Sequence, residues 1–140
     1  MLNVLKYLVI SLILIQFIQV EITNSKTPKE QEIKAPPHIM KLFKKACYDC
    51  HSNEVTIPWY ASVAPISFYI KRHVDLGRAW LNFSIWETYD DKKKDKKLQE
   101  IYKAIYKAMP LADYISMHKD AQLTKKQRDD IRAWTGKAPF

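Results

Sequence analysis

Glycine is nearly missing from this chain: Gly77 and Gly136 are two of 140 residues, against seven prolines. That scarcity excludes collagen-like and glycine-rich flexible architectures. Cysteine is as scarce, with two residues, Cys47 and Cys50. A bridge between them would close so small a loop that it restrains little of the unfolded chain, so the pair does not read as a structural staple. There is no second C-x-x-C and no H-x₃₋₅-H pair, which leaves a tetrahedral zinc site short of ligands. Strand signals are missing as well. The best run, Val55 to Ile57, meets Pro58.

What is present suits one compact domain with a short appendage. Hydrophobic residues make up 47% and charged residues 27%, and aromatics reach 12% with four Trp and eight Tyr, a composition that argues against disorder. A domain of this size buries a modest core and gains from a large apolar body at its centre.

Residues 1–20, MLNVLKYLVISLILIQFIQV, carry one charge, Lys6, and turn polar at Glu21. A run of roughly 20 such residues is long enough to span a bilayer as a helix, and its central stretch also matches a signal-peptide core. No A-x-A cleavage site follows and no lipoprotein cysteine is present. The segment is read first as an uncleaved hydrophobic anchor helix, second as a cleaved signal and last as a buried helix of a soluble domain; the first two put the domain on the periplasmic side of the inner membrane or free in the periplasm. Residues 21–37 mix charge, Pro and small polar groups without periodicity and read as a polar tether. A flexible chain of that length spans roughly 20–25 Å.

Residues 38–140 read as an all-α domain. After Pro36-Pro37, Ile39, Leu42, Phe43 and Ala46 fall at helical spacing. Pro65 opens a second helix with Ile66, Tyr69, Ile70, His73, Leu76, Gly77 and Trp80 along one face. Ser84 and Glu87 have capping-box spacing before a short segment. A longer helix runs from the lysine-rich stretch into LQEIYKAIYKAM, with Leu98, Ile101, Ile105 and Ala108 inward, and Pro110 stops it. The last helix has Thr124 and Gln127 as a capping box, Ile131 and Trp134 on its apolar side and Gly136 as its cap.

The chemistry starts at Cys47-Tyr48-Asp49-Cys50-His51. In C-x-x-C-H each thiol adds across one porphyrin vinyl group, and the adjacent imidazole is carried under the iron as its proximal ligand. Two other readings use the same cysteines. A thioredoxin-type redox pair belongs in a βαβ pattern, which is not seen here, and a zinc module would have to recruit distant residues such as His38 or His118.

The ordered set of Leu42-Phe43, C-x-x-C-H, Met109-Pro110 and Leu123-Thr124 before Trp134 is similar to class I c-type cytochromes. More closely, CYDCHSNEVTIPWYASVAPISFYIKRHVDLGRAWLNFSIW followed by AMPLADYISMHKDAQLT resembles the small exported haem-binding domain family, over most of residues 38–135. The resemblance implies a cytochrome c-like helical domain around one covalently attached haem c. One departure stands out. Class I cytochromes usually place a small Gly where the first helix crosses the last, whereas this chain has His38-Ile39-Met40-Lys41, so the crossing is wider or shifted. The stretch from Pro58 to Trp86, rich in aromatics, reads as extra core or as a lid over the haem edge.

For the sixth iron position Met109 comes first, because Pro110 pushes it out of helical conformation into a loop able to approach the distal face. Opposite an imidazole, its thioether favours reduced iron. His73 is the runner-up, on the apolar face of the second helix; Met117 and His118 follow. The formal net charge of +8 suits docking to an acidic redox partner or to anionic headgroups, and export disfavours nucleic acid as a partner. The reading is a mono-haem electron-transfer protein and not an enzyme. A haem-based sensor or peroxidase-related accessory domain with an open distal site is the alternative, followed by a non-haem zinc or thiol-redox module.

Overall fold

The computed structural model describes residues 2–138, and these contain α-helices and short 3-10 turns with no strand. The helices are α1 (Leu2–Ile15), α2 (Pro37–Ala46), α3 (Tyr48–His51), α4 (Ile66–Trp80), α5 (Asp91–Lys107), α6 (Ala112–Met117) and α7 (Lys125–Trp134). The all-α expectation holds.

Helix α2 starts behind Pro36 with Pro37 in its first turn, where a missing N–H costs nothing. It buries Ile39, Leu42, Phe43 and Ala46, the four residues that its spacing singles out. Phe43 carries the centre of the core. Its ring stacks on Phe83 at 4.8 Å and meets Trp134 of α7 edge-on at 5.2 Å. The first and last domain helices therefore cross over an aromatic pair, which explains how the crossing does without a glycine. Burying a Phe side chain is worth roughly 1.5–3 kcal/mol, so this cluster supplies a large share of a small domain's stability.

Helix α5 is capped by Asp90, whose carboxylate accepts from the Lys93 N–H at 2.7 Å, and it buries Ile101 and Ile105 while Leu98 is half-buried. Ala108 is not inward: it is the exposed carboxy-terminal cap of α5, because the helix stops at Lys107 ahead of Pro110. Thr124 and Gln127 form the expected capping box of α7, and Gly136 takes a φ of 64° just past its end. Ser84 does not cap a helix. Asn82 does, accepting from the Ser84 N–H at 3.0 Å, while the Ser84 hydroxyl accepts from the Asn53 N–H at 2.9 Å.

Two expectations for the amino-terminal part differ from what is seen. Helix α1 has 14 residues, and among the described residues no helix is long and apolar enough to cross a membrane. The apolar run leaves the helix at Gln16, whose side chain pairs with the backbone of one residue of the domain: its Nε2 donates to the Ala64 carbonyl at 2.9 Å and its Oε1 accepts from the Ala64 N–H at 3.0 Å. The stretch 21–37, expected to be a free tether, lies along the domain. Ile22 and Ile33 are buried, Asn24 makes two 2.9 Å bonds to the Val55 backbone, and the Ile33 N–H donates to the Phe83 carbonyl at 2.9 Å. Sparse apolar residues at 22 and 33 are enough to dock it once a groove exists.

Helix α4 follows its predicted bounds, but its apolar face does not sit in the core. Ile66, Tyr69 and Leu76 are exposed and only Ser67 and Val74 are buried. The face looks into an open crevice.

Candidate functional site

Helix α3 is a single turn carrying the C-x-x-C-H motif, and it is pinned from several sides. The Asn53 side chain accepts from the Asn82 amide at 2.8 Å, the Ser52 hydroxyl donates to the Tyr48 carbonyl at 2.8 Å, and Arg78 of α4 donates from Nε to the Ser52 carbonyl at 2.8 Å. Asp49 accepts from the Tyr114 hydroxyl at 2.7 Å, which ties the motif to α6. The Tyr114 hydroxyl is pushed above its ordinary pKa by burial and by this bond to Asp49, so it stays a donor.

Helix α4 approaches this turn closely at Gly77. An ideal Cβ there would lie 3.0 Å from the Cys50 carbonyl carbon and 3.2 Å from the Cys50 Cβ, inside normal contact. The close approach brings main-chain acceptors to the motif. His51 Nδ1 lies 3.0 Å from the Gly77 carbonyl and 3.1 Å from the Leu81 carbonyl. Carbonyls only accept, so Nδ1 carries the proton and Nε2 keeps its lone pair for a metal. Burial holds the His51 pKa below the ordinary imidazole value; the two carbonyl bonds oppose that shift and the charge of Lys97 adds to it. Lys97 reaches this region over Trp80, its Nζ 4.6 Å from the ring, and Trp80 meets His51 edge-on at 6.0 Å.

Both cysteines are free thiols and half-buried. Burial pushes Cys47 up to about 12 and Cys50 up to about 11. A disulfide-exchange pair needs a depressed thiol, so the shifts run against the thiol-redox reading. Among the described residues no group of three or more His, Cys, Asp or Glu is placed to hold a metal ion, so the zinc reading lacks its ligand set.

Two adjoining cavities open beside the motif. The first, of about 190 Å³, has Cys47, Cys50, His51, His73, Gly77 and Met109 among its walls. The second, of about 450 Å³, shares Cys50, His73 and Tyr114 with the first and extends along α4 to Tyr60, Met117 and His118. Each sequence-derived candidate thus borders one of them. Their states differ. Met109 is half-buried and packs on the core, with its carbonyl held by Arg128 of α7, which also donates to the Ile105 carbonyl at 2.7 Å. His73 keeps Nε2 free, since its Nδ1 bonds the Tyr69 carbonyl at 2.9 Å. His118 has both nitrogens engaged, with the Tyr60 hydroxyl at 3.2 Å and the Tyr114 carbonyl at 3.1 Å. Met117 is 61% exposed.

The aromatic stretch divides. Phe83 and Trp86 are core, Trp80 borders the first cavity, and Trp59 is exposed at the edge of the second. Sequence reasoning missed the role of Gly77, the Leu81 carbonyl, Tyr114 and Lys97. Gly77 left a signal: a glycine inside a helix costs about 1 kcal/mol relative to alanine, so an isolated one calls for a packing reason.

An all-helical fold that turns an imidazole, two thiols and an apolar helix face toward one crevice defines a haem-binding domain. The chain matches the family model described as "Haem-binding domain" over residues 10–137 and belongs to that family. Neither the curated proteins nor the solved structures gave a match. The residues fit haem: a neutral imidazole with a free Nε2, and a mostly apolar crevice walled by Tyr69, Ile70 and Leu76 of α4.

Proposed function

We propose that the chain holds one haem c through thioethers to Cys47 and Cys50, with His51 as the proximal iron ligand, and that it carries single electrons as a mono-haem cytochrome-like protein. The observation that carries this reading is the meeting of both thiols and His51 on one cavity, with Nδ1 occupied by the Gly77 and Leu81 carbonyls and Nε2 left for iron. Bound haem supplies a one-electron couple. The chain's own residues orient the imidazole and set the charge around it. Met109 is the proposed sixth ligand, favoured over His73 by its packing against the core and by the loop that Arg128 holds. His118 and Met117 rank lower, the first because both nitrogens are engaged and the second because of its exposure.

The same reading places the domain on the periplasmic side of the inner membrane, held by residues 1–20, or in the periplasm after cleavage of that segment. Helix α1 supports the first form, since its side chains from Leu2 to Leu14 are all exposed and nearly all apolar. An acidic redox protein is the proposed partner, in keeping with the net charge of +8. A sensor or peroxidase-related role is the second reading, favoured by the Tyr60–His118 pair beside the larger cavity, which can exchange a proton with a bound ligand.

Denaturing gel analysis of protein made with a haem-attachment system tests the first reading. Haem should stay with the unfolded chain, and Cys47→Ala together with Cys50→Ala should release it. Exported wild-type protein that retains no haem after denaturation overturns covalent attachment.

A further inference from the structure

Helix α1 is short for a bilayer. Its 14 residues rise about 21 Å, some 9 Å less than the roughly 30 Å hydrocarbon core. A segment that falls short is accommodated by thinning of the bilayer or by drawing flanking groups into it. What flanks α1 is fixed by Gln16, whose amide pairs with both the N–H and the carbonyl of Ala64. Ala64 lies in the loop between α3 and α4, and that loop carries outward-facing apolar side chains on either side of it. Trp59 is 80% exposed, and Ile57, Val63 and Ile66 are exposed as well. Phe17, one residue past the clamp, is also exposed.

A soluble surface tolerates scattered apolar residues, but a contiguous apolar patch marks an interaction site. Here exposed apolar residues stand on either side of Ala64, which the Gln16 amide ties to the end of an apolar helix that is itself uncovered, and tryptophan is the residue type enriched at the level of lipid headgroups. A bilayer that takes up α1 must meet this loop, because the Gln16–Ala64 clamp leaves no slack between them.

We infer that the loop from Ile57 to Pro65 is a second membrane-contact element, seated in the lipid interface beside α1 and making up for the shortness of that helix. Ile57, Trp59 and Val63 enter the interfacial layer. Trp59, Tyr60 and Ile66 also border the larger cavity, so the haem crevice is held close to the lipid surface. This rests on the reading of α1 as a membrane segment.

The test is photo-cross-linking of the full chain in vesicles of phosphatidylethanolamine and phosphatidylglycerol. p-Benzoylphenylalanine replaces Ile13 in one sample and Trp59 in another, with adducts weighed by mass spectrometry. Lipid adducts at both positions are expected. A lipid adduct at 13 with none at 59 overturns the proposal and leaves the anchor reading standing. No lipid adduct at either position overturns both. A covalent dimer formed through position 59, without lipid adduct, assigns the patch to a second copy of the chain and also overturns the proposal.

Discussion

Gly77 faces Cys50 across a gap that no side chain fits: a Cβ at position 77 would press on the Cys50 carbonyl and its Cβ. Helix propensity alone predicts that Gly77→Ala stabilises an interior helical position by about 1 kcal/mol. Overpacking against backbone predicts the reverse, a loss of roughly 1–3 kcal/mol. The second effect wins, because the neighbour is main chain and cannot rotate away. Urea unfolding of the two proteins should show a lower midpoint for Gly77→Ala. Haem incorporation should also fall, since the displaced α4 draws the Gly77 and Leu81 carbonyls away from His51. A variant as stable as wild type or more so would mean that α3 and α4 do not touch as described.

The protonation of His51 gives a second prediction. Its pKa is depressed in the fold by burial, so the unfolded chain binds more protons in the window just below the ordinary imidazole value of about 6.5. The stability of the haem-free protein should then be fully present above that value and fall as pH drops through the window, by up to about 1.4 kcal/mol per pH unit, until the folded pKa is passed. Urea titrations from pH 7.5 to pH 5 check this, with His51→Gln as the comparison. Equal slopes in the two proteins would show that the imidazole is not the group responsible.

The sixth ligand is separable by optical spectroscopy and redox titration. Met109→Ala should remove the weak charge-transfer band of Met–Fe(III) bonding, lower the reduction potential and open the iron to carbon monoxide, whereas His73→Ala should leave the band in place. If instead Met109→Ala keeps a six-coordinate spectrum inert to carbon monoxide and His73→Ala loses it, the iron has two imidazole ligands.

The helices were legible where local chemistry decides them. Pro36-Pro37, the Thr124–Gln127 box, Gly136 and the spacing of Ile39, Leu42, Phe43 and Ala46 each act within a turn or two, and each stands where expected. The two asparagines of the stretch that carries the family resemblance form a clasp: Asn53 bonds the Asn82 amide and the Ser84 hydroxyl. That partnership joins residues about thirty positions apart and has no local signal. The same holds for residues 21–37, whose composition reads as a tether but whose Ile22, Asn24 and Ile33 find partners only on the folded domain. Helix α4 was read correctly as amphipathic, yet periodicity does not say what an apolar face meets. Helix α6 escaped notice because six residues are too few for a period to emerge.

That uncovered face of α4 has a cellular consequence. Ile66, Tyr69 and Leu76 of that face are exposed and border the two cavities, so they are side chains that a bound haem would cover. Haem held by thioethers, as proposed, stays on the unfolded chain too, so it would stabilise the fold through the apolar surface it buries there and not by mass action. The haem-free chain is then the form that proteases take first, and the steady-state amount of this protein should track the supply of haem to its compartment.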